Sequence, residues 1–329
     1  MISIAIFGAG RIGKVHGYNA AQHPEINIKY IVDPYLEGAQ KLAADVGAIV
    51  SDTSTVMDDD EVVGVVIASA TDTHADLILQ AAKSGKMIFC EKPISLDIQT
   101  VKKCISSLSE YKAKCMLGFQ RRYDRNLRHV RERIDSGEIG QIEQVIIISR
   151  DPAPPPLEYL KHSGGIFRDM IIHDFDLARY IVGEDIATVY ATGNCCVDPA
   201  IAEIGDVDTV TVTMVTAGGK TVQIAGTRRG PMGYEQRIEV VCSKAVLKVN
   251  DIPQHLVTEA NINGSNVAPP EGFFLERYAQ AYKDEISMFV EMIQSGAKPL
   301  ADHYDGYEAQ RLAEAAIQSY KSGEIVRLE

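Results

Sequence analysis

Lys92 stands between Glu91 and Pro93, directly after the apolar run Met87 to Cys90. A lysine that ends a buried strand sits where an open α/β sheet binds ligands, in the crevice at the strands' carboxyl ends. There an ammonium can hydrogen-bond a reacting oxygen and stabilise the charge that develops on it. The tripeptide alone reads equally well as a loop lysine before a proline. A second set lies in Gly164-Gly165-Ile-Phe-Arg168-Asp169-Met-Ile-Ile-His173-Asp174-Phe-Asp176. Asp169, His173 and Asp176 are spaced four and three apart, so on a helix they share one face. A histidine with a carboxylate one turn to either side can be oriented and made more basic, as a general base requires. The competing readings are a packed structural histidine and a metal site. No further ligand cluster accompanies the three residues, so no metal is expected.

The third set is Gly8-Ala-Gly10-Arg11-Ile12-Gly13, which follows the strand-like Ile2 to Phe7 and opens a helical pattern. In such a turn the first glycine permits the tight bend and the second lets a pyrophosphate approach the backbone. The third packs helix on strand, and the phosphates lie at the helix N-terminus beside Arg11 and Ile12. Asp33 follows Gly13 by 20 residues and ends the next strand-like run. A carboxylate there accepts hydrogen bonds from both adenosine ribose hydroxyls and repels a 2′-phosphate. Pro34 and Tyr35 come next, with no arginine or lysine, which favours NAD over NADP.

The elements that must position these residues follow two rhythms. Over residues 1–119, the runs Ile2–Phe7, Asn27–Val32, Val62–Ala68, Met87–Cys90 and Cys115–Phe119 read as buried parallel strands. Helical patterns at 11–22, 35–46, 73–84 and 97–110 alternate with them, the last capped by Asp97 or Ser95. That alternation predicts an N-terminal doubly wound parallel sheet, an α/β Rossmann domain. Over residues 120–329 the β-branched runs follow one another closely: Gln141–Ser149, Thr188–Cys195, Thr209–Thr216, Thr221–Thr227, Gln236–Val241 and Ala245–Val249. Gly218-Gly219 marks a hairpin between two of them. The expectation is an α+β substrate-binding and oligomerisation domain with an open, mostly antiparallel sheet. One helix is inserted at about 167–181 after the proline-rich Pro152 to Pro156, and long helices follow at about 276–295 and 303–322. The C-terminal helix is expected to pack back on the first domain. An uncovered apolar sheet face needs a partner, so a homo-oligomer is expected.

Composition excludes other classes. A net charge of −12 disfavours nucleic acid and anionic membranes as partners, since both call for a basic face. The basic run Arg121 to Arg133 reads as a solvated helix face with a few pocket residues. No apolar run approaches the ~18 residues of a transmembrane helix, and the N-terminus lacks a secretory pattern. Cys90, Cys104, Cys115, Cys195, Cys196 and Cys242 show no metal-ligand spacing, which suits a reduced, cytoplasmic protein.

The glycine turn, Glu91-Lys92-Pro93, Gly118-Phe119-Gln120-Arg121-Arg122-Tyr123-Asp124 and Asp169-x-x-x-His173-Asp174 come in one order across nearly the whole chain. In this the sequence resembles the glucose–fructose oxidoreductase and inositol dehydrogenase (Gfo/Idh/MocA) family. Arg121 to Asp124, Ser149-Arg150-Asp151-Pro152 and Glu276-Arg277-Tyr278 resemble its inositol 2-dehydrogenase branch most. The resemblance implies an active site between the two domains, with Lys92, Asp169 and His173 catalytic. His173 would take a proton from a ring hydroxyl as its carbon reduces NAD, and Asp169 would orient His173 and Lys92. Glu91 would join the cofactor contacts, and Arg122, Asp151 and Tyr278 the substrate contacts. Asp151 stands where some inositol dehydrogenases carry asparagine, which bears on the preferred isomer. Pro93 is often cis in the family, and members are commonly tetramers or dimers joined through the open sheet.

Three functions stay open on the sequence. The first is oxidation of myo-inositol to a keto-inositol, the opening step of inositol breakdown. The second is the same chemistry on scyllo-inositol, another cyclic polyol or a sugar. The third is a cofactor-binding regulator without turnover, which the intact lysine, aspartate and histidine disfavour.

Overall fold

Short runs of valine and isoleucine bounded by glycine and aspartate build the first sheet. The structure is a computed structural model and describes residues 1–328. Strands β1 (Ile2–Phe7), β2 (Ile26–Val32), β3 (Ile49–Val50), β4 (Val62–Ile67), β5 (Met87–Glu91) and β6 (Cys115–Gly118) lie in the order β3-β2-β1-β4-β5-β6. All neighbours are parallel. Helices α1 (Arg11–Gln22), α2 (Leu36–Val46), α3 (Thr53–Asp58), α4 (Thr71–Lys83) and α5 (Ile98–Glu110) connect them. This is the doubly wound parallel sheet that the alternation predicts. Strand β3 and helix α3 were absent from the sequence reading, because a two-residue strand carries no periodicity to detect. Asp97 caps α5 by accepting the Gln99 and Thr100 N–H groups, and the Ser95 hydroxyl accepts the Asp97 N–H.

The chain divides into two compact units, Met1–Tyr123 with Gln280–Glu308, and Asp124–Ala279 with Ala309–Glu329. In the first unit, residues 280–308 cover the sheet. The Phe289 ring lies 5.8 Å from that of Phe89. Gly64 of β4 leaves the space they need, since a Cβ there would stand 2.9 Å from both Phe289 and Ile293. Beyond them the Leu117 N–H donates to the Ala301 carbonyl at 3.1 Å.

The second unit is built on a mixed sheet. Strands β7 (Ile142–Arg150), β8 (Ile186–Asn194), β9 (Thr209–Thr216), β10 (Thr221–Thr227), β11 (Glu235–Cys242), β12 (Val246–Val249) and β15 (Val326–Arg327) run in the order β12-β11-β7-β10-β9-β8-β15. Strands β13 (Thr258–Asn261) and β14 (Gly264–Val267) form a separate hairpin. Only β7 and β10 pair in parallel, so the sheet is mostly antiparallel, as expected. Gly219, at φ +88°, makes the turn between β9 and β10. Helix α9 (Ile172–Val182) packs on β7 and α6 (Arg125–Asp135) on β12 and α9, while α8 (Ile166–Asp169) leads into α9 after the one-turn α7 (Leu157–Leu160). The helix expected over about 167–181 is two helices, because the ladder is interrupted. The Ile171 N–H reaches back five residues to the Ile166 carbonyl (2.9 Å), and the His173 N–H three residues to Met170 (3.4 Å). Such an inserted residue recurs at functional sites.

The basic run also divides. Arg121 and Arg122 are buried in a single turn at Gln120–Tyr123, while Arg125 and Arg128 lie on the exposed side of α6.

A titration follows from the first unit. Glu285 is fully buried, and neither of its carboxylate oxygens has a hydrogen-bond partner among the described residues. Burial, and then the charge of Glu91, push its pKa well above the usual carboxylate range. A raised folded pKa gives stability that is complete below the unfolded value and is lost as pH rises toward the folded one. Glu285→Gln removes that loss. The variant should therefore melt higher than the parent by a margin that grows from about pH 5 to about pH 8. Thermal melts across that range check it; a constant or shrinking margin would contradict a neutral buried Glu285.

Candidate active site

The glycine turn separates its three glycines by what surrounds them. Gly8 has φ +106°, and a Cβ there would stand 2.3 Å from the Ala68 carbonyl oxygen at the end of β4. A Cβ on Gly13 would stand 2.0 Å from the Gly8 oxygen. Both close contacts are backbone, so neither site can yield to a side chain. A Cβ on Gly10 would meet nothing within 4 Å. Gly10 is also the N-cap of α1, with no side-chain cap on the first N–H groups. The turn thus leaves one open face at a helix N-terminus, beside the β1/β4 reversal in strand order where such sheets bind ligands.

Asp33 is held to the same turn. Its Oδ2 accepts the Ala9 N–H at 2.7 Å and its Oδ1 the Tyr35 N–H at 2.8 Å. Each oxygen keeps a further lone pair, so the carboxylate is pinned in place and can still accept from two hydroxyls. The open glycine, the uncapped helix and the pinned acceptor fit a dinucleotide such as NAD.

Lys92 follows β5 and is half-buried, with a cis peptide to Pro93. His74, itself buried, donates from Nδ1 to the Pro93 carbonyl at 2.8 Å and fixes the chain beyond. The preceding Glu91 is opposite Gly118 in the register of β5 and β6. Its carboxylate lies so close that a Cβ on Gly118 would stand 2.7 Å from Oε2. That explains why a glycine opens the Gly118-Phe119-Gln120 segment. His16 of α1, fully buried, donates to Glu91 Oε1 at 2.7 Å. Its ring edge packs on Phe89 at 4.8 Å and Tyr282 at 5.8 Å. The sequence reading missed His16. Its spacing from Gly13 places it on the buried face of α1, but its partner is 75 residues away.

In the second unit, Asp206 caps α8 through the Ile166 N–H at 3.0 Å, after Gly164 and Gly165 with positive φ. Arg168 is gripped by Glu314 through two 2.6 Å bonds. Asp169 then presents Oδ1 to the Tyr159 hydroxyl at 2.8 Å and Oδ2 to the Arg228 guanidinium at 3.3 Å. His173 comes one turn later, across the interrupted ladder. From Met170 to Ala178 it is the one residue that is not buried. Asp174 and Asp176 are fully buried in α9. Tyr159 and Arg228 were not found from sequence either. The arginine lies in an unremarked segment after a strand, and the tyrosine in a proline-rich loop.

The expected substrate contacts are placed differently from one another. Asp151 is half-buried just after β7, with its N–H on the Thr227 carbonyl (3.0 Å) and its carbonyl accepting the Gly230 N–H (2.6 Å). Tyr278 is 2% exposed, edge-on to Tyr234 and under the Arg277 guanidinium, which pairs with Asp124 at 2.6 Å. Arg122 donates to the Leu300 carbonyl at 2.5 Å and to Asp305 at 2.9 Å, all within the first unit. Among the described residues no group of three or more His, Cys, Asp or Glu is placed to hold a metal ion.

Comparison with known proteins matches both units. Residues 2–119 match the oxidoreductase family with an NAD-binding Rossmann fold, and residues 127–248 the GFO/IDH/MocA C-terminal domain. An inositol 2-dehydrogenase of Rhizobium meliloti is 42% identical over 97% of this chain and 96% of its own. The crystal structure of a myo-inositol dehydrogenase from Corynebacterium glutamicum superposes with a TM-score of 0.96 at 42% identity, covering 100% of this chain and 99% of that one. A scyllo-inositol dehydrogenase from Lactobacillus casei, solved with NAD(H) and scyllo-inositol, gives 0.92 at 28% identity over 99% of each chain.

Asp33 sets the cofactor prediction. Its charge would face a 2′-phosphate at short range, and like charges in contact are costly. NAD should be preferred over NADP by at least about 100-fold in kcat/KM, roughly 2.7 kcal/mol. Asp33→Ala should weaken NAD use and relieve the penalty against NADP, so the ratio narrows from both sides. Steady-state kinetics with both cofactors decide it; equal use by the wild type, or an unmoved ratio in the variant, would remove Asp33 from the ribose.

Proposed function

The chain belongs to the GFO/IDH/MocA family of oxidoreductases, and from that premise we propose that it oxidises a ring hydroxyl of myo-inositol to the ketone. NAD, held at the glycine turn, supplies the hydride acceptor. The observation that carries the reading is the half-exposed His173, one interrupted turn after an aspartate fixed on both oxygens. His173 takes the hydroxyl proton on an imidazole nitrogen. Asp169 orients that imidazole and stabilises its protonated form. Lys92 supplies an ammonium suited to donate to an alcohol oxygen and to offset the charge left on it. Asp151 follows β7 as Arg228 follows the neighbouring β10, which supports a role for it toward a further hydroxyl. Arg122 is not carried into the site, because its guanidinium is occupied by Leu300 and Asp305.

A second reading is oxidation of scyllo-inositol, or another cyclic polyol or sugar, by the same residues. The likeness to the Lactobacillus casei scyllo-inositol enzyme over 99% of the chain favours keeping it. A regulator without turnover fits less well, since Lys92, Asp169 and His173 are all retained. No helix among the described residues is long and apolar enough to cross a membrane. NAD use and free thiols, four of the six buried, support action in the cytoplasm.

The second unit's sheet supports a homo-oligomer, a dimer or tetramer. Alternate positions that its helices leave uncovered include Ile146, Ile148, Val215, Val241 and Tyr190. An apolar stripe of that kind on a sheet face is suited to a second copy of itself.

Two tests follow. His173→Ala should lower turnover with myo-inositol by a factor on the order of 10² or more while NAD still binds; near-normal turnover would make His173 structural. Light scattering should report a dimer or tetramer, and Ile148→Glu should reduce it; a wild-type monomer at working concentrations sinks the sheet interface.

A further inference from the structure

We propose that Arg228 and Tyr159 are positioning residues that hold Asp169 as a fixed anion for His173 to work against. The proposal rests on the reading of Asp169 and His173 given above. Arg228 directly follows β10, and its side chain is 1% exposed. A guanidinium stays charged at any ordinary pH, and burying it is costly unless a carboxylate meets it. Asp169 is its one ion-pair partner among the described residues. The frame behind Arg228 is rigid. Its N–H donates to the Asp208 carbonyl at 2.9 Å, and the Asp208 carboxylate accepts the N–H groups of Cys196, Val197 and Asp198 at 2.8–2.9 Å.

Tyr159 comes from the opposite kind of element. It sits on the one-turn helix α7 in the loop that follows Pro152 to Pro156, and it is more than half exposed. Its hydroxyl takes Asp169 Oδ1, while Arg228 takes Oδ2. The sheet thus sets a buried positive charge against Asp169 Oδ2, and the loop supplies a neutral donor to Oδ1 that sets its rotation. The charged groups on the neighbouring elements of this unit have contacts of their own. Arg168 on the same helix is neutralised by Glu314, Asp206 caps Ile166, and α9 contributes His173 with the buried acids Asp174 and Asp176. Removing Arg228 takes away a buried cation that faces Asp169 Oδ2. Loss of a nearby cation makes protonation easier for both an aspartate and a histidine. The acidic limb of activity should therefore move to higher pH whichever of the two governs it.

The test is the pH profile of kcat/KM for wild type, Arg228→Met, Arg228→Lys and Tyr159→Phe, with thermal melts and NAD binding measured on each. Arg228→Met should lose on the order of 10²-fold in kcat/KM at neutral pH, and its acidic limb should rise by about one unit, with NAD affinity kept. Arg228→Lys should return the limb toward its wild-type place with only part of the rate. Tyr159→Phe should lower kcat by roughly 3- to 10-fold and move the limb less than Arg228→Met does, since it removes a hydrogen bond but no charge. A merely structural arginine would lower the rate without moving the limb, and that result in a folded Arg228→Met overturns the proposal. If that variant does not fold, Arg228→Lys still decides, because a displaced limb with the charge retained overturns it as well. Asp169→Asn separates the two ideas. Near-normal activity in Asp169→Asn defeats the acid–base reading itself; an inactive Asp169→Asn beside an unmoved Arg228→Met limb defeats only the positioning role.

Discussion

A 2.7 Å hydrogen bond from His16 to Glu91 is the interaction that joins the first unit's two motifs. His16 belongs to the helix that opens at the glycine turn, and Glu91 is the residue before Lys92. That contact holds the start of the helix against the end of β5. The surroundings leave little room for adjustment. Gly118 accommodates the Glu91 carboxylate where any Cβ would collide, and Phe89 and Tyr282 close around the imidazole. Hydrogen bonds to charged groups contribute about 1.5–3 kcal/mol, and a buried partner left unpaired costs at least as much. The Gly-x-Gly-x-x-Gly and Glu-Lys-Pro motifs are therefore one packed device, separated in sequence and joined in space.

Buried arginine–carboxylate pairs do the equivalent work elsewhere. Arg122 with Asp305 fixes the segment near residue 300 in the first unit, and Arg277 with Asp124 anchors the ends of the second. Arg228 with Asp169 is the pair at the proposed site. Loss of one partner from such a pair typically costs about 3–5 kcal/mol, because a charge is left behind without compensation. Two of the three use arginines from outside the basic run, whose abundance in sequence is a poor guide to which cations matter. Arg122 illustrates the converse. It lies within a motif, yet its geometry is that of a strut.

The parallel strands of the first unit and the β-rich second unit were legible because burial imposes a pattern on consecutive residues. The cofactor turn was legible for the same reason, since its constraints fall within six residues and on Asp33. What escaped the sequence was of two kinds. Strand β3 and the inserted residue between Asp169 and His173 are too short to alter a periodicity, although the second changes how the two side chains are related. His16, Tyr159 and Arg228 act through partners 75, 10 and 59 residues away, and a contact of that span leaves no local signature. Arg122 looked like a ligand for the same reason: Asp305 is 183 residues distant. Lys92, Asp169 and His173 stand out in the sequence because each sits in a motif, whereas the groups that contact Asp169 and Glu91 do not.

Hydroxyl recognition rests on a few polar contacts, and in the proposed site asparagine in place of Asp151 would change the preferred isomer without changing the reaction. The most direct measurement is NADH formation by the purified protein with a matched panel of myo-inositol, scyllo-inositol, hexoses and nucleotide sugars. We expect turnover with NAD on the inositols, with myo-inositol giving the highest kcat/KM. Turnover confined to a nucleotide sugar, or none on any polyol while NAD binds, would contradict it.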